Sequence, residues 1–184
     1  MKVSGLSNQA GSTVRACWNR SVSKKAIDVA REFGEQLPSF ASLADATRHY
    51  KAHMQTGLKA LEGLTTGLPG FDMDYSPGSL RSLEEVYFNL VERAGFAGLG
   101  LTQQAFESLI GIYFAAVVTR SDPKARLVVQ EFAFTPGKYE FGVAKGNTTV
   151  MVSSLQNLSL VQPLKKRRDR LDKMFQRYFG TKKG

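Results

Sequence analysis

Residues 103–119 read QQAFESLIGIYFAAVVT and form the most apolar stretch of the chain. Thr102 directly precedes this stretch, and its hydroxyl can accept a hydrogen bond from a free backbone N–H, so we expect a helix over all of it. From Leu109 onward the helix is apolar on nearly every side, which predicts that it is the central and most buried one. Its apolar run is too short to span a membrane, which takes about 20 residues.

Downstream of this helix the apolar residues alternate with a period of two. We predict three short strands over residues 126–134, 139–144 and 148–152, separated by turns that contain Gly. The turn Lys145-Gly146-Asn147 is short, so the last two strands are expected to pair as an antiparallel hairpin.

Three further helices are predicted upstream of the apolar one. The first runs from an N-cap at Ser23 to about Gln36, and the second covers about residues 42–64. The third begins at a capping box, Ser82-Leu83-Glu84-Glu85, and stops with Gly95 as the first residue beyond its end. Residues 65–78 hold several turn-forming residues and are predicted to be a loop.

A terminal helix over residues 165–179 completes the pattern, with its apolar face on the sheet. The predicted fold class is therefore α+β: a helical N-terminal half packed on a small antiparallel sheet of about three strands, closed by a basic C-terminal helix. A chain of 184 residues suits one domain, which we place at 23–184. Residues 1–22 are rich in Ser, Gly, Asn and Gln and are predicted to be a flexible lead.

The single cysteine, Cys17, excludes an internal disulfide and suits a reducing compartment. The N-terminus shows no apolar run of signal-peptide length, so we expect a cytoplasmic bacterial protein and not an integral membrane protein.

The positive charge of the chain is concentrated at its C-terminus. The formal net charge is +9, of which the last 24 residues carry +7, since nine Lys or Arg stand there against Asp169 and Asp172. The predicted helix contains seven of these basic residues, which we take as partner-binding candidates: Lys165, Lys166, Arg167, Arg168, Arg170, Lys173 and Arg177.

This basic face has four interpretations: a solvated surface, a contact with an acidic partner protein, a contact with nucleic-acid phosphates, or a contact with anionic lipid. Nucleic-acid binding usually adds aromatic side chains on which bases stack. Phe175 and Tyr178 fall on the apolar side of the predicted helix, so we expect them in the core, which favours a protein partner over nucleic acid.

Two other groups of residues are candidates for a site. Phe71, Asp72, Asp74 and Tyr75 stand in the predicted loop, where exposed side chains would offer a second contact point for a partner. Solvated turn residues before a helix are the simpler interpretation, because the helix dipole favours negative charge there.

Asp45, His49 and His53 share one solvent-facing side of the second helix, at spacings of four residues. Two His at this spacing can chelate a metal. The chain has no third His and no Glu beside either one, so these residues are only weak metal candidates, and we predict neither a metal nor another cofactor.

The order of elements from residue 78 onward resembles a known layout. Gly78-Ser79-Leu80 opens one helix, Gly111-Ile112-Tyr113 lies in the apolar helix, and a strand pair leads to Pro163 and a basic helix. This is similar to small uncharacterised bacterial α+β domains, some of which occur beside polymorphic toxins and are presumed immunity proteins. The resemblance implies an immunity-type protein that binds and neutralises a toxin domain.

Two functional hypotheses follow. The first is a non-enzymatic protein-binding module of the immunity type, whose basic tail meets an acidic partner surface. The alternative is a nucleic-acid-binding accessory protein that uses the same tail. The sequence shows no catalytic signature, so an enzyme is not expected; if the protein is one, Asp72, Asp74, His49 and His53 are its candidate residues.

Overall fold

A computed structural model describes residues 24–66, 69–155 and 169–180. Within these ranges the chain forms five α-helices and three strands, which confirms the α+β class. They are α1 Lys24–Gln36, α2 Leu43–Thr65, α3 Pro77–Glu92, α4 Gln103–Ser121, β1 Arg126–Glu131, β2 Tyr139–Lys145, β3 Thr148–Met151 and α5 Arg170–Tyr178. Single 3-10 turns follow α3 and β3. The lead predicted over residues 1–22 lies outside the described residues.

The three strands form an antiparallel sheet in the order β1-β2-β3, as predicted. Gly146 takes a positive φ of 58° in the hairpin turn between β2 and β3, a conformation that Gly adopts without strain. The first strand was predicted three residues too long. It ends at Glu131 because the chain turns there, and the N–H of Phe132 donates to the carbonyl of Lys138 at 2.7 Å.

Helix α4 lies at the centre of the core, as its apolar sequence predicted. Every residue from 110 to 118 is buried. A Cβ on Gly111 would lie 2.4 Å from Cγ1 of Val152, and one on Gly57 of α2 would lie 2.5 Å from Cδ1 of Ile112. These two glycines therefore let α4 approach α2 and the end of the sheet closely, and both helices pack on β1 and β2.

Helix α3 begins earlier than the capping box predicted. Its N-cap is Ser76, whose hydroxyl accepts from the N–H of Ser79 at 3.2 Å, and Pro77 follows at the first helical position. The box at Ser82 was wrong because Ser-Pro is a stronger start signal, which leaves Ser82 in the second turn.

The end of α3 is also shifted by one residue. Ala94, and not Gly95, takes the left-handed conformation, with φ of 49°. The N–H of Gly95 donates to the carbonyl of Leu90 at 2.8 Å, and that of Ala94 donates to Val91 at 3.3 Å. This pair of bonds is the Schellman motif, with a non-glycine residue in its strained position.

Helix α5 begins at Arg170 and not at Lys165, because Asp169 has a left-handed φ of 64°. The sequence prediction for residues 165–168 lies outside the described residues. The helix packs mainly on α3 and not on the sheet as predicted, and it buries Leu171, Phe175 and the following Phe179. None of the helices in the described ranges has the length and apolar character needed to cross a membrane.

Candidate functional site

The N-terminus of α5 is capped by a side chain from α3. The two carboxylate oxygens of Glu84 accept from the backbone N–H of Arg170 at 3.0 Å and of Leu171 at 2.9 Å. These N–H groups belong to the first turn of α5, where backbone N–H groups have no carbonyl acceptor within the helix. Burial raises the pKa of Glu84, and the two N–H bonds work against that rise. The negative form of Glu84 also lies at the positive end of the α5 dipole.

The C-terminus of α5 is held by a basic side chain from β2. The ammonium of Lys145 donates to the carbonyl of Phe179 at 2.8 Å and forms an ion pair with Asp122 at the same distance. A cation at this end of a helix complements the dipole. Side chains from α3 and β2 therefore hold α5 at both ends.

A third contact pairs the two acidic residues at the start of α5 with a basic side chain of α3. Arg81 of α3 forms ion pairs with Asp169 at 3.2 Å and with Asp172 at 2.8 Å. Because Arg81 is exposed, these pairs add little stability. They do give both acidic residues of the last 24 a basic partner from α3.

Four residues of α5 are exposed, and three of them, Lys173, Arg177 and Tyr178, are basic or aromatic; the fourth is Gln176. Lys173 and Arg177 are exposed, and Tyr178 is 40% exposed with the guanidinium carbon of Arg177 5.3 Å from its ring centroid. The prediction that Tyr178 lies in the core was wrong. The spacing of seven residues places Tyr178 on the same side of the helix as the buried Leu171, but Tyr178 is the last residue of α5, and its side chain stays partly exposed there.

The other predicted tail residues contribute differently. Arg170 is half-buried, and its Nη1 atom is buried without a hydrogen-bond partner among the described residues. Four candidates lie outside the described residues: Lys165, Lys166, Arg167 and Arg168.

The loop before α3 is attached to α4 and is not the exposed contact point that we predicted. Phe71 and Tyr75 are half-buried, with ring centroids 5.7 and 5.3 Å from that of Tyr113. The guanidinium of Arg120 lies 3.3 Å from the centroid of Tyr75 and covers its face. The aromatic side chains of this loop therefore serve packing.

The two acidic residues of the loop remain exposed. Asp74 accepts from the N–H of Ser76 at 2.7 Å, and this bond lowers the pKa of Asp74. The bond fixes the turn that leads into α3. Asp72 is exposed as well, which both the solvated-turn and the partner-contact interpretations of this pair expect.

Asp45 interacts with neighbours other than the two histidines. Its carboxylate accepts from the hydroxyl of Ser42 at 2.6 Å and pairs with Arg48 at 3.1 Å, so it serves the N-terminus of α2. His49 and His53 are exposed residues, as predicted, but their rings also pack on Tyr50 and lie parallel with centroids 5.9 Å apart. Across the described part of the chain no three His, Cys, Asp or Glu side chains form a group that could hold a metal ion.

The two histidines border a cleft of about 260 Å³ that the sequence did not reveal. Its lining also includes Phe33, Tyr50, Glu140 and Phe141. The hydroxyl of Tyr50 donates to the carbonyl of Tyr139 at 2.5 Å. Burial, followed by the charge of Glu140, raises the pKa of Tyr50 to about 12, so this hydroxyl stays neutral. Burial and then the neighbouring His49 lower the pKa of His53.

Glu140 is the buried acidic residue of this cleft, with 7% of its surface exposed. One carboxylate oxygen accepts from the amide of Gln130 at 3.2 Å and the other from the hydroxyl of Ser153 at 2.8 Å. The sequence contained a signal for this residue, because a Glu between Tyr139 and Phe141 interrupts an apolar strand.

These features define a small α+β domain in which a basic C-terminal helix is fixed to a helical layer. The chain belongs to the family described as uncharacterised protein YwmA, whose model matches residues 39–179. It is 27% identical over 112 residues to the Bacillus subtilis (strain 168) protein named uncharacterized protein YwmA, covering 61% of this chain and 71% of that protein. No solved structure matches the chain. The matched region contains α2 to α5, and so includes both histidines, Glu140 and Glu84.

Proposed function

We propose that this protein is a non-enzymatic protein-binding module, and that it contacts an acidic partner surface through Lys173, Arg177 and Tyr178, which we call the α5 surface. The observation that carries the proposal is the fixation of α5 at both ends, by Glu84 and by Lys145. A short helix on its own is marginal in water, so side chains that hold its ends serve to present its outer face in one orientation.

The composition of the α5 surface supports a protein interface. Tyr and Arg are enriched in interfaces and at their energetic centres. Tyr178 combines a large exposed ring with few rotatable bonds, and Arg177 lies next to that ring. A Tyr side chain has only two side-chain torsions, so Tyr178 loses little conformational entropy when a partner binds.

The charge distribution supports an acidic partner. The last 24 residues carry a net charge of +7, and their two Asp are already paired with Arg81. Complementary charge accelerates association and makes it dependent on salt.

The most specific form of this proposal is an immunity-type protein that neutralises a toxin domain. It is motivated by the resemblance in the order of elements from residue 78 onward. Its test is direct: the partner, once identified, should have a toxic activity that stoichiometric amounts of this protein abolish. A partner whose activity is unchanged in the complex would exclude the immunity form and leave protein binding in place.

Nucleic-acid binding is the second candidate, and one observation favours it. Tyr178 is exposed beside Arg177, and an aromatic ring next to a guanidinium is a platform on which a base can stack. This candidate predicts binding to any oligonucleotide, with affinity that falls steeply as salt rises.

An affinity capture from lysate of the producing cell separates the two candidates, with and without nuclease and at low and moderate salt. The test variant carries Lys173→Glu and Arg177→Glu, and the control carries Lys51→Glu and Lys59→Glu on the exposed face of α2. Both change the net charge by the same amount. The proposal predicts one stoichiometric protein that survives nuclease, is retained by the control and is lost from the test variant.

Two results would overturn the proposal. Capture of nucleic acid that nuclease removes would assign the surface to the second candidate. Equal capture by the test and control variants, whether both retain or both lose the partner, would show that the α5 surface does not specifically retain it.

A further inference from the structure

We propose that the cleft bordered by His49 and His53 binds the ammonium group of a small amine, with Glu140 as its counter-ion and the surrounding aromatic rings as its walls. This inference does not depend on the function proposed for the α5 surface, because it uses different residues and a different kind of ligand.

The first argument is the unbalanced charge of Glu140. Its residue is 7% exposed, and its two hydrogen bonds come from the neutral groups of Gln130 and Ser153. Within the ranges that the structure describes, no Lys or Arg forms an ion pair with it. A carboxylate has about four acceptor positions, so two remain. A buried charge without a counter-ion is costly, and an ammonium ligand would supply one.

The second argument is the aromatic wall. The rings of Tyr50 and Phe141 lie 4.7 Å apart, and His53 meets Phe141 edge to face at 6.2 Å. The faces of aromatic rings attract a cation, and their bodies pack against an apolar ligand skeleton. A carboxylate at one side of such rings matches a molecule with an ammonium at one end.

The third argument concerns the charge and the size of the ligand. Glu140 is the only formally charged residue among the described residues that line the cleft, with His neutral. An anion would therefore meet a net negative site. The volume of about 260 Å³ is just below the range of drug-sized pockets, which begins at about 300 Å³. A single ring with a short aminoalkyl chain suits this volume.

In the experiment, the full chain is titrated with three probes of nearly equal shape and different charge. The chemical shifts of the protein are followed by NMR. Phenethylamine is the cation, 2-phenylethanol the neutral analogue and phenylacetate the anion. We expect shifts centred on Tyr50, His53 and Glu140, with phenethylamine bound about tenfold or more tighter than the alcohol, as for a hydrogen bond to a charged group. Phenylacetate should bind most weakly. Equal binding of the three probes, or no shift in the cleft with the amine, would overturn the inference.

Two variants locate the counter-ion. Glu140→Gln keeps the shape and removes the charge, and Glu62→Gln removes an exposed charge from α2 as the matched control. The amine should bind about tenfold more weakly to Glu140→Gln and unchanged to Glu62→Gln. Equal affinities for these two variants would refute the role of Glu140. If Glu140→Gln does not fold, His53→Leu on the exposed rim should weaken amine binding by about threefold, and an unchanged affinity counts against the site.

A fourth probe identifies the source of the ammonium. Nα-acetyl-lysine amide carries the same group on a peptide side chain. Tighter binding of this probe than of phenethylamine assigns the cleft to a lysine of a partner protein, and the reverse order assigns it to a free amine. Either order supports an ammonium site.

Discussion

The carboxylate of Glu84 in α3 accepts a hydrogen bond from the backbone N–H of Leu171, 87 residues further along the chain, at 2.9 Å. The same carboxylate accepts from the neighbouring Arg170. One buried side chain thus satisfies two N–H groups at the start of α5 and joins the C-terminal helix to the helical layer. The orientation of the α5 surface depends on this contact.

Replacing Glu84 by Ala is expected to destabilise the protein by about 2–4 kcal/mol, because one buried and one partly buried N–H group lose their acceptor. Glu85 is the matched control, since it is the exposed neighbour on the same helix, and Glu85→Ala should change stability by less than about 0.5 kcal/mol. Urea denaturation measures both. In Glu84→Ala, backbone amide hydrogen exchange should accelerate more in α5 than in α4, relative to the wild type. An equal acceleration in both helices would contradict the capping role.

Ala94→Gly is expected to stabilise the protein by about 0.5–1 kcal/mol. Ala94 has a φ of 49°, where an L side chain is strained and Gly is not, and this relief exceeds the entropy that Gly adds to the unfolded chain. Ala60→Gly in the exposed middle of α2 is the control and should destabilise by about 1 kcal/mol. Thermal unfolding should therefore shift in opposite directions for the two variants; a lower midpoint for Ala94→Gly would refute the strain.

The raised pKa of Tyr50 predicts that the protein loses stability at alkaline pH. Its pKa rises from 10.0 to about 12 on folding, because of burial and then the charge of Glu140. The unfolded chain therefore releases this proton first, so the contribution of Tyr50 is complete below pH 10.0 and is lost as the pH rises through about 12. The free energy of unfolding should fall more steeply above pH 10.0 for the wild type than for Tyr50→Phe. Parallel curves would contradict the shift.

The two histidines predict a second pH effect, which NMR can follow because the chain has only two. The pKa of His53 lies below 6.5 because of burial and then the charge of His49. Its contribution to stability is complete above pH 6.5 and is lost as the pH falls through the lowered value. His49→Gln should raise the titration midpoint of His53, whereas Lys59→Gln should leave it unchanged. A midpoint that does not respond to His49→Gln would contradict the coupling.

The sequence predicted the elements whose signals are local. The apolar residues 109–118 identified the central helix, Thr102 its start, and Gly146 the hairpin turn. These predictions held because a cap, a turn or a continuous apolar run acts within a few residues. The predicted start of α3 was wrong because two nearby segments, Ser76-Pro77 and Ser82, could each provide an N-cap, and the helix begins at the first.

The candidate sites were less predictable because they join distant segments. Glu84 was read as part of a capping box for its own helix, and it caps α5 instead. Glu140 and the two histidines line one cleft only after the sheet packs on α2. Tyr178 was assigned to the core from helical periodicity, which does place it on the side of Leu171, but it is the last residue of α5 and remains 40% exposed.

The most direct test of the protein-binding account is the association rate of the captured partner with this protein as a function of salt. The wild type should associate about tenfold faster at low than at high ionic strength. Lys173→Glu with Arg177→Glu should abolish most of that acceleration, while Lys51→Glu with Lys59→Glu should retain it. A rate that does not depend on salt, or one that falls equally in both double variants, would show that the α5 surface does not contact the partner.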